Sequence, residues 1–224
     1  MHTPEILPSI LACDLARLAD EVAVLGPSVR TLHYDVMDGQ YVPNISFGQP
    51  VMRSLRAAWS GDLDVHLMIV DPSRYAAQFA EAGATSIAFH PEVEDDPLTL
   101  LRDLRAAGMR VGVGVRPEHP LDSVEQLLPE ADVLLLMTVN PGFAGQAFLT
   151  DVLPKITEAY DRRAADGLRY RIQVDGGVTA DTIGPAAAAG ADWFVAGTSV
   201  FAAPEPAAAS EALLALATST MRAD

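Results

Sequence analysis

The order of short apolar runs and longer helical patterns constrains the fold of this chain more than any other feature. Eight runs rich in β-branched or apolar residues alternate with segments whose apolar residues recur at helical spacing. The predicted strands are Ile6–Leu11, Thr31–Val36, Leu63–Met68, Ser86–His90, Arg110–Val115, Val133–Met137, Arg171–Val174 and Trp193–Ala196. Strand–helix units of about 28 residues in a chain of 224 are typical of a lean (β/α)8 barrel.

An open, doubly wound sheet would show the same alternation with fewer strands. Because eight candidate strands are present and no linker separates a second domain, we predict an α/β fold with a single (β/α)8 TIM barrel over residues 1–224. Leu15 to Leu25 and Leu121 to Leu128 have helical spacing, and the second helix closes before Pro129. The Ala- and Pro-rich segment Ala202–Ala209 is interpreted as the entry to a final helix.

The charge balance excludes several classes of partner. The chain has 15 Lys and Arg against 30 Asp and Glu, for a net charge of −15. Nucleic acids and anionic membranes need a basic face, so neither is expected as a partner. A small anionic ligand stays open, because one concave site can be locally positive in a negative protein.

The cysteine and lysine content and the first residues of the chain exclude further classes of protein and chemistry. Cys13 is the only cysteine, which excludes a disulfide framework and a zinc site built on cysteines. Lys155 is the only lysine and lies in a helical stretch, so Schiff-base chemistry is not expected. Met1–Ser9 lacks the basic stretch and apolar run of a signal peptide, and the apolar runs are strand-sized. These features predict a soluble, cytoplasmic protein.

Two histidines and two aspartates stand at predicted strand ends. His33 and Asp35 are two apart on the second strand and share a face, His66 is at the end of the third, and Asp175 follows the seventh. Active sites of such barrels lie at these ends. Imidazole and carboxylate ligands suit one divalent cation, zinc, iron, manganese or cobalt. The alternative is that these residues cap helices or satisfy loops. His90 also ends a predicted strand, and the sequence shows no partner for it.

Glycine-rich loops follow the last strands. Gly176 and Gly177 come after the seventh strand, and Gly197 and Thr198 after the eighth, where barrels of this type often bind phosphate through backbone N–H groups. The alternative is that these glycines only make turns. The segment from Thr138 to Gln146 is rich in Gly and Pro, which fits either a mobile lid or an ordinary connector.

Together these motifs resemble the ribulose-phosphate 3-epimerases, and the match follows the family order over nearly the whole chain. The motifs that carry the resemblance are Leu7–Leu11, His33–Gly39, Val42–Asn44, Asp64–Met68, Val139–Phe143, Val174–Val178 and Gly197–Phe201.

The resemblance implies a (β/α)8 isomerase that epimerises C3 of a ketose phosphate, D-ribulose 5-phosphate to D-xylulose 5-phosphate, in the pentose phosphate pathway. It implies one divalent metal on His33, Asp35, His66 and Asp175, with Asp35 and Asp175 moving protons on opposite faces of C3 through a metal-stabilised enediolate. The substrate-binding positions that it implies are Ser9, His66, Gly142, Phe143, Ala144, Gly145, Gly176, Gly177, Gly197 and Thr198.

Several alternatives accompany this interpretation. The lid Gly142–Gln146 and the turn Gly197–Ser199 resemble the allulose-6-phosphate 3-epimerases, whereas Asp175–Val178 resembles the pentulose enzymes. A metal-free phosphosugar isomerase and a non-catalytic sugar-phosphate binder are the less favoured hypotheses. The expected partner is a small phosphosugar, and a homo-oligomer is among the expectations because the family includes assemblies of several sizes.

Overall fold

The computed structural model describes residues 2–222, in which eight parallel strands form the predicted barrel. The strands are β1 (Glu5–Pro8), β2 (Thr31–Met37), β3 (Asp62–Met68), β4 (Ser86–Phe89), β5 (Arg110–Val115), β6 (Val133–Met137), β7 (Arg171–Asp175) and β8 (Trp193–Ala196). Their order is β1-β8-β7-β6-β5-β4-β3-β2, so every neighbour along the chain is also a neighbour in space. The predicted (β/α)8 fold is confirmed. Met1 and residues 223–224, the ends of the predicted domain, lie outside the described residues.

The seam between β1 and β2 closes the barrel with little backbone pairing. A single parallel bridge joins Ser9 to His33 there. Side chains supply the remaining links, because the Thr31 hydroxyl donates to Glu5 Oε1 (2.6 Å) and the Ser9 hydroxyl donates to Asp35 Oδ2 (2.5 Å). The barrel is therefore closed at the seam by side chains as much as by a ladder.

Helices surround the strands. The α-helices are α1 (Leu18–Ala23), α2 (Gln49–Ala58), α3 (Ser73–Glu81), α4 (Pro97–Ala106), α5 (Leu153–Ala165), α6 (Ile183–Ala189), α7 (Thr198–Phe201) and α8 (Pro206–Thr220). Short 3-10 helices are Ile10–Ala12, Leu15–Arg17, Pro91–Val93, Leu121–Glu130 and Thr150–Val152. None of the helices between residues 2 and 222 has both the length and the apolar character that a membrane span requires.

Some predicted boundaries were wrong. β1 ends at Pro8 rather than Leu11, because the Ser9 side chain accepts the Leu11 N–H (3.3 Å) and starts a 3-10 turn. The segment predicted as a short helix ending before Pro129 is a 3-10 helix that continues to Glu130 with the proline inside it. A 3-10 helix is the tighter form that proteins use for short connectors.

The two faces of the strands contact different parts of the protein: one packs against the helices and the other lines the barrel interior. On β2, Tyr34 points outward and packs its ring against Phe47 and Phe79, while His33 and Asp35 point into the barrel. The barrel interior contains one apolar layer of Leu7, Val133, Trp193 and Val195, and a second of Ala88, Leu135, Met137 and Val139. The polar side chains therefore gather at the carboxyl ends of β2, β3 and β7.

Candidate active site and metal centre

Strand register brings the four predicted metal ligands together. Asp35 on β2 pairs in register with His66 on β3, and Asp175 ends β7 beside Met137 of β6. Each of His33, Asp35, His66 and Asp175 offers one ligand atom, and these atoms all lie within 4.8 Å of one another. The sequence prediction that these side chains converge at one mouth is confirmed; their binding of a metal stays a prediction.

The atoms that face one another are two ring nitrogens and two carboxylate oxygens. His33 Nε2 is 3.2 Å from Asp35 Oδ1, and His66 Nδ1 is 3.4 Å from the same oxygen and 3.3 Å from Asp175 Oδ2. Both nitrogens are buried and make no hydrogen bond within the described part of the chain. Buried polar atoms are rarely left so, and a cation at the centre would satisfy both nitrogens and both carboxylates. The donor set fits a divalent transition metal.

The outer ring nitrogen of His33 contacts a carboxylate that the sequence interpretation did not assign. His33 Nδ1 lies 2.9 Å from Asp64 Oδ2, and Gln173 Nε2 donates to the same oxygen (2.7 Å). Asp64 is fully buried. Such a partner fixes which ring nitrogen faces a metal. The signal was available in the alternation of β3, since Asp64 lies two residues before His66 and shares its inward face.

The outer ring nitrogen of His66 contacts another histidine. His66 Nε2 is 3.0 Å from Nε2 of His90, which follows β4 and is completely buried. The sequence showed no partner for His90, and the structure identifies His66 as that partner. The contact depends on the register of β3 and β4, which no local motif encodes.

The electrostatics of the cluster favour a cation. Burial alone would lower the pKa of His33, but the carboxylates of Asp35 and Asp64 hold this pKa well above its usual value. Burial alone would raise the pKa of Asp35, yet His33 and His66 hold it well below its usual range. A metal ligates neutral imidazole, so His33 and His66 would each have to present an unprotonated ring nitrogen to hold a cation here.

A cavity of about 320 Å³ opens above the cluster at the carboxyl ends of the strands. Asp35 and Asp175 are on its floor, and three methionines, Met37, Met68 and Met137, form an apolar wall. Of the residues that the sequence interpretation assigned to substrate binding, all except His66 line the cavity: Ser9, Gly142, Phe143, Ala144, Gly145, Gly176, Gly177, Gly197 and Thr198. His33 and His66 lie beneath the floor. Within the described residues no Lys or Arg lines this cavity.

The loop after β6 covers one side of this cavity. Asn44 Nδ2 donates to the Gly142 carbonyl (2.9 Å), which ties the loop to the segment after β2. Gln146 Nε2 donates to the carbonyls of Asn140 (2.7 Å) and Phe143 (3.0 Å) and so closes the loop on itself. The Phe143 side chain is 55% exposed. The segment is therefore anchored at Gly142, while the neighbouring Phe143 is exposed to solvent. This arrangement is compatible with a lid over the cavity.

The glycine pair after β7 has room for no side chain. Gly176 and Gly177 both have positive φ, +115° and +66°. A Cβ on Gly176 would collide with Val139, and one on Gly177 would collide with the backbone of Phe148. Glycine is thus required here by both conformation and space. The turn presents bare backbone to the cavity, as an anion site without basic side chains requires.

Comparison with known proteins places the chain in a family. The model of the ribulose-phosphate 3 epimerase family matches residues 5–201. Ribulose-phosphate 3-epimerase of Mycobacterium leprae (strain TN) is 49% identical over 210 residues, which cover 94% of this chain and 93% of that protein. The enzyme of the same name from Escherichia coli (strain K12) is 42% identical over 202 residues, covering 89% and 90%.

Solved structures with low sequence identity share the fold alone. KGPDC from Streptococcus mutans has a TM-score of 0.72 at 16% identity, covering 97% of this chain and 99% of that one. 3-Hexulose-6-phosphate synthase from Salmonella typhimurium has a TM-score of 0.71 at 19% identity, covering 98% and 100%. With the family model and close relatives spanning almost the whole barrel, the chain belongs to the ribulose-phosphate 3-epimerase family of isomerases.

Proposed function

We propose that this protein interconverts D-ribulose 5-phosphate and D-xylulose 5-phosphate by inverting C3, with one divalent cation held by His33, Asp35, His66 and Asp175. The observation that carries the proposal is the pair of buried ring nitrogens that make no hydrogen bond with residues 2–222 and face two carboxylates on the floor of the cavity. Family membership supports the reaction class. Zinc, iron, manganese and cobalt all match these ligands.

The chemistry requires the proton on C3 to become removable. This proton lies next to a carbonyl group and is acidic only if the negative charge that develops on the substrate oxygens is stabilised. A bound divalent cation supplies that stabilisation as a Lewis acid. The protein must in addition hold the ligating rings in position, place a base near C3 and exclude water.

Inversion at C3 needs a proton taken from one face and a proton returned to the other. In this proposal Asp35 is the base on one face and Asp175 is the acid on the other. The two stand on β2 and β7, with β1 and β8 between them around the barrel. Asp35 is held in place by the hydroxyl of Ser9, which donates to Oδ2 (2.5 Å), while Oδ1 faces the histidines. Geometry of this kind supports a two-carboxylate mechanism.

The substrate phosphate is assigned to the glycine loops after β7 and β8. Gly176, Gly177, Gly197 and Thr198 line one end of the cavity, where backbone N–H groups can approach an anion closely. Ser9 is assigned to the sugar end and residues 142–145 to the cover over the bound substrate, whereas His66, which lies beneath the cavity floor, is assigned to the metal site alone. Because no Lys or Arg is in the described lining, backbone N–H groups and neutral side chains such as the Thr198 hydroxyl must provide the phosphate contacts.

The decisive experiment follows proton exchange at C3 in D₂O by NMR. Ribulose 5-phosphate and allulose 6-phosphate are offered separately, each with and without a chelator. We expect metal-dependent exchange that is faster on the five-carbon sugar. Exchange that persists after complete metal removal would overturn the metal-dependent mechanism and favour a metal-free isomerase.

A six-carbon substrate is the second candidate. Ala144 and Thr198, where the chain resembles the allulose-6-phosphate enzymes, both line the cavity. Faster exchange on allulose 6-phosphate would keep the mechanism and change the substrate. Binding of both sugars without exchange on either would indicate a sugar-phosphate binder.

A further inference from the structure

His90 is a buried histidine to which neither the family motifs nor the proposed reaction gives a role. It follows β4, has no exposed surface, and contacts His66 through Nε2 at 3.0 Å. It does not line the cavity described above. It therefore touches the candidate metal centre only through His66.

The contact between the two rings requires a specific arrangement of protons. A cation can be held at His66 Nδ1 only by the lone pair of that nitrogen, so the ring proton of His66 must be on Nε2. That N–H then donates to His90 Nε2, which must present a lone pair. The proton of His90 is consequently on Nδ1, which makes no hydrogen bond within the described residues and has the Glu92 carboxylate oxygen 3.7 Å away.

The Tyr41 ring and the backbone at Gly114 restrict the orientation of the His90 ring. The Tyr41 ring lies against it, with centroids 5.0 Å apart. On β5, Gly114 leaves the space that the ring fills, because a Cβ there would lie 2.9 to 3.0 Å from three ring atoms. The Tyr41 hydroxyl in turn donates to Glu92 (2.7 Å), which fixes the carboxylate near His90 Nδ1.

We propose that His90 is a positioning residue that accepts the Nε2–H of His66 and thereby holds His66 Nδ1 toward the candidate cation site. This inference rests on the metal site of the proposed function. Its chemistry is that of an outer partner of a metal ligand, whose removal typically weakens metal binding by about 10- to 100-fold.

The test compares two substitutions of His90 by the affinity for Co²⁺, measured on the full-length, metal-stripped protein against a competing chelator. His90→Gln retains an acceptor near the position of Nε2, whereas His90→Leu fills the space without one. We expect His90→Leu to lower the affinity by about 10- to 100-fold, and His90→Gln to stay within about threefold of wild type. The visible absorption spectrum of bound Co²⁺ should change in His90→Leu, since it reports ligand geometry.

A second pair of variants leaves all the histidines in place. Gly114→Ala pushes on the His90 ring, whereas a Cβ added by Gly184→Ala on α6 would meet only Thr220, at an ordinary contact distance of 3.6 Å. We expect Gly114→Ala to weaken Co²⁺ binding and Gly184→Ala to leave it unchanged. Thermal unfolding of the metal-free proteins will show whether His90→Leu folds. If it does not fold, the two glycine variants test the role of His90 in its place.

The outcomes separate the two proposals. If wild-type protein binds no Co²⁺, the metal site of the proposed function is wrong, and this inference is overturned with it. If wild type binds Co²⁺ and His90→Leu binds equally well, only the role of His90 is overturned. Equal losses in His90→Leu and His90→Gln would also overturn it, because they would mean that the ring acts by packing alone.

Discussion

The hydroxyl of Ser9 donates a 2.5 Å hydrogen bond to Asp35 Oδ2 across the seam between β1 and β2. Ser9 is also the residue that bridges to the backbone of His33 and starts the 3-10 turn after β1. One residue therefore ends a strand, links two strands and orients a carboxylate of the candidate site.

Removing this hydroxyl should both slow the reaction and destabilise the protein. Ser9→Ala deletes a hydrogen bond to a charged group, which is worth about 1.5 to 3 kcal/mol. We expect kcat for epimerisation to fall by about 10- to 100-fold, because Asp35 loses its orienting partner. Coupled-enzyme kinetics will measure this. The control is Ser54→Ala at an exposed position of α2, where the hydroxyl only reaches the Pro50 carbonyl. Equal kcat in Ser9→Ala and wild type would contradict the assigned role.

The two carboxylates should each be required for turnover. Asp35→Asn and Asp175→Asn keep the side-chain shape and remove the proton-accepting charge, so each should lower kcat by about 10²- to 10⁴-fold. Circular dichroism will check that the fold survives. Asp181→Asn, in the exposed segment after β7, is the matched control and should be as active as wild type. Full epimerase activity in either site variant would refute the assignment of two proton-transfer groups.

The turn after β7 should tolerate no Cβ. Gly177 and Gly167 have almost the same φ, +66° and +65°, but only the Cβ on Gly177 would meet neighbouring atoms, those of Phe148. Gly167→Ala should cost about 1 to 2 kcal/mol for its left-handed backbone alone. Gly177→Ala should cost more in the free energy of unfolding, measured with urea, and should raise KM for the phosphosugar. Similar values for both variants would show that the loop moves aside freely.

Cys13 should be a poorly reactive thiol in the native protein. Burial, with a smaller contribution from Glu21, raises the pKa of Cys13 to about 12. The thiolate is the reactive form, but its nucleophilicity rises with its pKa, so alkylation by iodoacetamide at pH 8 should be on the order of 10- to 100-fold slower in the folded protein than in urea. The rate should rise with pH throughout the range from 8 to 10, because this range lies below the pKa. Equal rates in the folded and unfolded protein would mean that the segment around Cys13 is not packed as described.

The parts of this structure that follow local patterns could be predicted from the sequence. Alternation along β2 placed His33 and Asp35 on one face, and the end of β7 placed Asp175 at the same mouth. Gly176 and Gly177 are visible because their positive φ excludes most other residues. These features depend only on the residues next to them in the chain.

Alternation along β3 places Asp64 on the inward face, but which side chains contact the candidate ligands could not be predicted, because those contacts depend on register between strands. Asp64 stands opposite His33, and His90 reaches His66 only once β3 and β4 are aligned. The early end of β1 was missed for a related reason, since Ser9 uses its side chain to start a turn where its apolar neighbours suggested more strand. Each of these contacts depends on tertiary structure, and the sequence alone permits several alternatives.

The seam has a consequence for how the barrel can fluctuate. The other seven strand pairings are backbone ladders, but β1 and β2 meet through one bridge and through side chains, one of which is Asp35. A momentary opening there would leave those seven ladders intact while separating Ser9 from the carboxylate it orients. Solvent exchange of the backbone amides at the Ser9–His33 bridge, rather than of those in the intact ladders, would then report how often the folded protein lacks the contact that orients Asp35.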